Sequence, residues 1–230
     1  MTEPIPPQIL NYLASRSRGC MLRVDGMGRI HERNCCPDST LPEDIRGAAS
    51  LDTCLSRSVR IEWIELIRDV ICSNQPIESL MVLDGLGIEL VLLPWTGVAT
   101  ERGGWILLLP LAAPSSPMHG SSRRTLRNHE WGALDVLSRC QLDTLRHVTL
   151  GLSNQQIASV MHRSKRAVEW HIRHLHRLLG AGTRECMARL GRSAGLDRFR
   201  DEEWANILAT RPARRSLEEF ALSDSGGRAA

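Results

Sequence analysis

Between Ser164 and Leu179 the chain reads SKRAVEWHIRHLHRLL, a run rich in guanidinium, indole and imidazole groups. At about 100° of rotation per residue, Val168, Ile172, Leu175 and Leu179 fall on one helical face and Arg166, Trp170, Arg173 and Arg177 on the opposite one. The first face needs a core. The second carries planar Arg forks that suit phosphates and guanine edges, so its chemistry is that of polyanion recognition. Lys165 and Arg166 place further positive charge in the first turn, where the helix dipole is already positive; nearby phosphates would make that placement favourable. An amphipathic helix with a solvated basic face has the same pattern, so the neighbouring residues decide.

Two other chemistries lack the residues they would need. His171, His174 and His176 cluster on this helix, but only His171 and His174 share a side, and no carboxylate or Cys stands at a ligand spacing beside them, so no metal site is expected. His31 near Cys35 and Cys36 has the composition of a thiol nucleophile and base, yet no third residue orients the pair and no oxyanion site accompanies it. No catalytic function is expected.

The elements that must position the basic helix lie just before it. Ser138-Arg139-Cys140-Gln141 and Ser153-Asn154-Gln155-Gln156 each have the Ser-x-x-Gln spacing of a capping box and mark two helix starts. Leu142, Leu145 and Val148 form the apolar stripe of the first helix, which Gly151 can end, and Ile157, Val160 and Met161 form that of the second. Met161 to Ser164 leaves room for only a tight turn, with Ser164 as N-cap of the third helix. Two short helices, a turn and a basic third helix make a helix-turn-helix.

At this point the run from Leu137 to Leu190 resembles the LuxR/GerE-type helix-turn-helix domain of bacterial transcription regulators. Gly151-Leu152-Ser153-Asn154, Ile157-Ala158, Ser164, Val168, His171 and Leu179-Gly180 sit where that pattern expects them. The resemblance implies a fourth helix, here Thr183 to Ala194, that often mediates dimerisation. It implies DNA contact through Arg166, Trp170, Arg173 and Arg177, with Lys165, His171 and His174 nearer phosphates and Ser153 and Asn154 at a helix start close to the backbone. Glu169 and Trp170 depart from the family, which often has Lys and then Val or Thr there. Glu169 can accept from a cytosine amino group or orient Arg166 or Arg173 by a salt bridge, the second role being preferred; Trp170 can pack against a thymine methyl.

The net charge of +3 conceals a separation. Met1 to Gly120 holds 10 cations and 14 anions, Ser121 to Gly195 holds 13 and 5, and Leu196 to Ala230 holds 6 and 7. The basic excess therefore coincides with the helix-turn-helix, as in a nucleic-acid reader tethered to a separate input module. Seven Cys at irregular spacing, with no CxxC pair, fit reduced thiols better than a disulfide frame. No apolar run reaches the roughly 18 residues of a membrane span, and the N-terminus lacks a signal peptide's regions, so a cytoplasmic location is expected.

In the first half, Ile9 to Ser15 reads as a short helix, Cys20 to Val24 and Arg29 to Glu32 as strands, and Pro42 to Arg46 as helical turns. Ile61 to Cys72 is the clearest helix, with Trp63, Ile67, Val70 and Ile71 on one side. Ile77 to Leu83, Ile88 to Leu93 and Trp105 to Leu109 are strands, the first two joined at Asp84-Gly85-Leu86-Gly87. This order, with VDGMGRIHERN early and LLPW and GGWILLLPL late, resembles a PAS sensor domain. Such domains hold a ligand or serve in dimerisation. The long helix has no His for haem, and Arg33-Asn34-Cys35-Cys36 follows a strand rather than lying in a later helix as a flavin-adduct motif would, so no cofactor is expected.

The expected architecture is an α+β PAS-like domain over 9–112, a linker over 113–125, an all-α four-helix LuxR-type domain over 126–195 and a partly disordered tail over 196–230. Leu126 to Leu137 is read as a connecting helix, and Glu202 to Leu208 as a tail helix docking through Trp204. The expected partners are double-stranded DNA, a second copy of the chain and RNA polymerase, with the small-molecule ligand of the first domain left open. The rival reading is a module whose basic helix meets an acidic protein instead of DNA.

Overall fold

Short, nearly continuous apolar runs such as Trp105 to Leu109 build a sheet in the first half of the chain, and helical periodicity builds a bundle in the second. The computed structural model describes residues 18–37, 39–96, 102–111 and 122–211. The chain divides into two units, one ending at Trp131 and the other beginning at Gly132.

The first unit runs β1 (Cys20–Asp25), β2 (Ile30–Cys35), α1 (Glu43–Gly47), α2 (Leu51–Cys54), α3 (Arg57–Ser73), β3 (Ile77–Leu83), β4 (Leu86–Thr96), β5 (Arg102–Pro110) and β6 (Ser122–Thr125). The sheet order is β2-β1-β5-β4-β3-β6, antiparallel except for the β3–β6 pair. The first five strands, with helices inserted between β2 and β3, form the expected PAS-like α+β arrangement. The β3–β4 hairpin is tighter than the sequence suggested, because Asp84 (φ 49°) and Gly85 (φ 76°) both take positive φ and close it in two residues. Trp63, Ile67 and Val70 of α3 pack with Leu22, Met81, Leu90, Ile106 and Leu108 from one sheet face. Met21, Val91, Leu93, Trp105, Leu107 and Leu109 form a second buried cluster from the alternate positions.

Two expectations for this half are corrected. The thiols are not all reduced: Cys20 and Cys35 are direct partners in the β1–β2 register and form a disulfide with Cα atoms 4.0 Å apart. Antiparallel pairing brings them face to face in a way that their spacing of 15 residues does not announce. Nor are residues 122–137 the end of a linker followed by a connecting helix; the rest of the expected linker, 113–121, lies outside the described residues. Ser122–Thr125 is a strand paired to β3, and Leu126 is buried in the core. The Glu62 carboxylate accepts hydrogen bonds from the backbone N–H groups of Arg127 (2.7 Å) and Asn128 (3.0 Å) and from the Asn128 side chain (3.1 Å). Glu130 N–H donates to Val82 O at 2.8 Å, and its carboxylate accepts from Ser56 N–H at 2.7 Å. These amides are committed to partners outside a helix ladder, and Gly132 (φ 53°) then leads into a 3₁₀ turn over Gly132–Val136.

The second unit continues with α4 (Arg139–Thr149), α5 (Asn154–Val160), α6 (Lys165–Leu179), α7 (Arg184–Ser193) and α8 (Asp201–Thr210). The four expected helices are present, and α8 adds a fifth that docks through Trp204, which is 3% exposed. Its indole N–H donates to Asp143 of α4 at 2.8 Å. Arg146 of α4, itself buried, donates to Phe199 O (3.0 Å), Leu196 O (3.3 Å) and the Asp201 carboxylate (2.7 Å), and lies 5.3 Å from the Trp204 ring centre. Buried Arg211 donates to the carbonyls of Leu134, Asp135 and Leu137 at 2.9–3.1 Å, tying the end of α8 to the turn that opens the unit. The stretch after Gly195 is thus part of this domain as far as Arg211. The Ile9 to Ser15 helix and the segment beyond Arg211 lie outside the described residues. Among the described residues no helix is long and apolar enough to cross a membrane.

Candidate nucleic-acid interface

Both capping boxes form as their spacing requires. Ser138 Oγ accepts from Gln141 N–H while Gln141 Oε1 accepts from Ser138 N–H, and Ser153 and Gln156 repeat the arrangement. Gly151 (φ 82°) takes the left-handed conformation that releases the chain from α4. The turn from α5 to α6 is made by His162 (φ 52°), with Arg163 N–H donating back to Ala158 O at 2.9 Å, a bond that spans one helical turn and its left-handed cap. Ser164 then caps α6 by accepting from Ala167 N–H at 3.2 Å.

Packing fixes which way α6 faces. Val168, Ile172 and Leu175 are buried, as are Leu142, Leu145 and Val148 of α4 and Ile157 and Ala158 of α5. Arg166, Arg173 and Arg177 are consequently exposed on the other side, joined by exposed Lys165 at the start of the helix and exposed Arg163 in the preceding turn. Arg163 was missed from the sequence, although the run Arg163-Ser164-Lys165-Arg166 signals it.

Trp170 is half-buried among these cations, and its environment is aromatic. Its ring lies 3.8 Å from that of His174 at an interplanar angle of 32°, and 5.0 Å from His171 edge-on at 77°. His174 Nδ1 is 3.1 Å from Trp170 O, so Nδ1–H donates to that carbonyl. Glu169 pairs with Lys165, one turn earlier, at 3.8 Å rather than with either arginine expected for it.

His171 is corrected more strongly. It is 8% exposed and sits three residues after Val168 and four before Leu175, on the buried face. Burial pushes its pKa down, with the charges of Arg163 and His174 acting in the same direction, and its Nδ1 lacks a hydrogen-bond partner. It is a neutral packing group and not one that meets phosphates. At the start of α5, the Ser153 hydroxyl is engaged as a cap and Asn154 Oδ1 accepts from Arg184 of α7 at 2.9 Å; Arg184 also donates to Leu152 O. These two residues therefore fix the position of α5. Arg184 is a positioning residue without a local signal in the sequence, because its partners lie some 30 residues away. Among the described residues no group of three or more His, Cys, Asp or Glu is placed to hold a metal ion.

Three helices on a shared apolar core, the last turning a cationic and aromatic face outward, define a helix-turn-helix DNA-binding fold. The family model described as bacterial regulatory proteins, luxR family (GerE), matches residues 135–190, and this segment is a LuxR-type helix-turn-helix domain. The nitrate/nitrite response regulator protein homolog of Haemophilus influenzae is 41% identical over 58 residues, which are 25% of this chain and 28% of that relative. The chain thus matches little more than a quarter of the relative's length. A solved Vibrio cholera VqmA–ligand–DNA complex is 17% identical, covering 86% of this chain and 92% of that one with a TM-score of 0.40. A Vibrio cholerae VqmA dimer without target DNA is 18% identical, covering 84% and 89% with a TM-score of 0.32. At these scores the two structures add no detail to this chain.

Proposed function

We propose that this chain is a cytoplasmic, sequence-specific DNA-binding transcription regulator, in which the PAS-like unit senses a ligand or dimerises and the LuxR-type unit reads an operator. The observation that carries the reading is the outward face of α6, where Arg166, Trp170, Arg173 and Arg177 stand over a buried stripe of Val168, Ile172 and Leu175. Arg173 reads a base edge, whereas Arg177, Lys165 and Arg163 neutralise phosphates. The family resemblance adds a homodimer on two half-sites, with RNA polymerase as a further partner.

Selection of bound sequences from random duplex DNA by the full chain tests this directly. A consensus with two half-sites about one helical turn, roughly 10 base pairs, apart is expected. Arg173→Ala should weaken the selected site by about 1–3 kcal/mol and relax one base position. Arg177→Ala should weaken all sequences alike and reduce the log–log salt slope by about one unit. Enrichment of no sequence, with both variants retaining full affinity at moderate salt, would overturn the assignment.

A further inference from the structure

The outward face of α6 is not uniformly cationic. Trp170 interrupts it between Arg166, one turn before, and Arg173, one turn after. A solvated basic face has no use for an indole there, and the indole is not absorbed into the core, because the buried stripe of α6 passes through Val168, His171, Ile172 and Leu175 instead.

Its ring is held from two sides. The His174 ring lies against it at 3.8 Å, tilted by 32°, and the His171 ring meets it edge-on at 5.0 Å. The His174 ring is oriented in turn by the hydrogen bond from Nδ1–H to Trp170 O. A tryptophan has only two side-chain torsions, and stacked or edge-to-face neighbours restrict both. The indole is therefore a rigid apolar plate with its position set before any ligand arrives, flanked by groups that bind phosphate or guanine.

The major groove of DNA offers donors, acceptors and one apolar group, the 5-methyl of thymine. Resting on the proposed DNA-binding role of α6, we propose that Trp170 is a specificity-determining residue that reads a pyrimidine 5-methyl group, with His174 as the residue that positions its ring. The plate recognises the methyl and not the O4 or N4 atom beside it. It follows that 5-methylcytosine is accepted in place of thymine better than cytosine is, and that uracil is rejected although its hydrogen-bonding edge equals that of thymine.

The test uses the full-length protein and the duplex it selects, with each thymine of a half-site replaced singly by deoxyuridine. For the wild type, one position should lose about three- to fivefold in affinity, the worth of one buried methyl group. At that position 5-methylcytosine paired with guanine should bind more tightly than cytosine paired with guanine. In Trp170→Ala, and in Trp170→Gln should the first variant fold poorly, the thymine-to-uracil ratio should fall to one. His174→Ala should shrink the ratio and His174→Phe, which keeps an aromatic ring against the indole, should restore most of it, a combination that a general loss of structure would not produce. An unaltered ratio in both Trp170 variants, or a selected site at which no thymine is sensitive to uracil, overturns the proposal and leaves the DNA-binding role standing. Failure to select any sequence removes that role and the proposal together.

Discussion

Replacing Arg146 by Met tests whether α8 is held to the scaffold of the helix-turn-helix by one buried guanidinium. Methionine keeps much of the side chain's length and apolar volume but removes the donors to Leu196 O and Phe199 O and the contact with the Trp204 ring. Each charge-assisted hydrogen bond is worth about 1.5–3 kcal/mol. The cation–π contact adds about 0.5–2 kcal/mol. The Asp201 arm adds little, because that carboxylate is 94% exposed and returns to water. Relief from burying a charge offsets part of the loss, which leaves a net destabilisation of roughly 2–4 kcal/mol. At 1.36 kcal/mol per tenfold, amide exchange in α8 should accelerate about thirtyfold to several hundredfold. Trp204 N–H, bonded to Arg200 O at 2.9 Å near the loosened end, should be affected more than Arg211 N–H, because the Arg211 side chain still ties its end of the helix to three carbonyls. Arg146→Lys, which keeps the charge but not the fork, should fall between. Unchanged protection of both amides in a folded Arg146→Met protein would show that α8 is held by other contacts.

Stability of the DNA-binding unit should fall on mild acidification. Burial lowers the pKa of His147, an effect that Arg146 strengthens and that Asp143 and Asp201 oppose, and burial likewise lowers that of His171. Both bind protons more readily unfolded than folded, so the stability is fully present above about pH 6.5 and is lost as pH falls from there toward the folded values. Denaturant midpoints at pH 7.5 and 5.5 should differ, with a slope of at most about 2.7 kcal/mol per pH unit for two groups; equal midpoints would contradict burial of neutral imidazoles. Gly191→Ala should cost roughly 1–3 kcal/mol by overpacking. The added Cβ would lie 1.8 Å from Thr149 Oγ1. Thr149→Ala in the same chain should recover most of that loss, whereas strictly additive melting shifts would show that α4 and α7 do not meet there.

What was legible in the sequence was local. The two Ser-x-x-Gln boxes, the N-cap Ser164, the left-handed Gly151 and the apolar stripe of α6 each act within a few residues, so their spacing is visible without a fold. The inward turn of His171 was equally local: it lies in register with Val168 and Leu175, and the resemblance drew attention to its chemistry instead. What escaped depended on pairing across long separations. The Cys20–Cys35 bridge needs the β1–β2 register, β6 needs an open edge on β3, and the Asn154–Arg184 and Trp204–Asp143 bonds need the helices already packed. Charge distribution pointed to the correct half of the chain but did not distinguish the arginines that face outward from Arg146 and Arg211, which are buried.

Glu62 and Trp63 are consecutive, so on α3 they point roughly 100° apart. One grips the amides of 127–128, while the other is buried against the sheet. A helix behaves as a stiff beam, and repacking beneath Trp63 that tilts it must carry the Glu62 carboxylate, and the backbone hung from it, in the same stroke. The segment that follows β6 is in this sense yoked to a helix of the buried core, a few residues before the second unit begins.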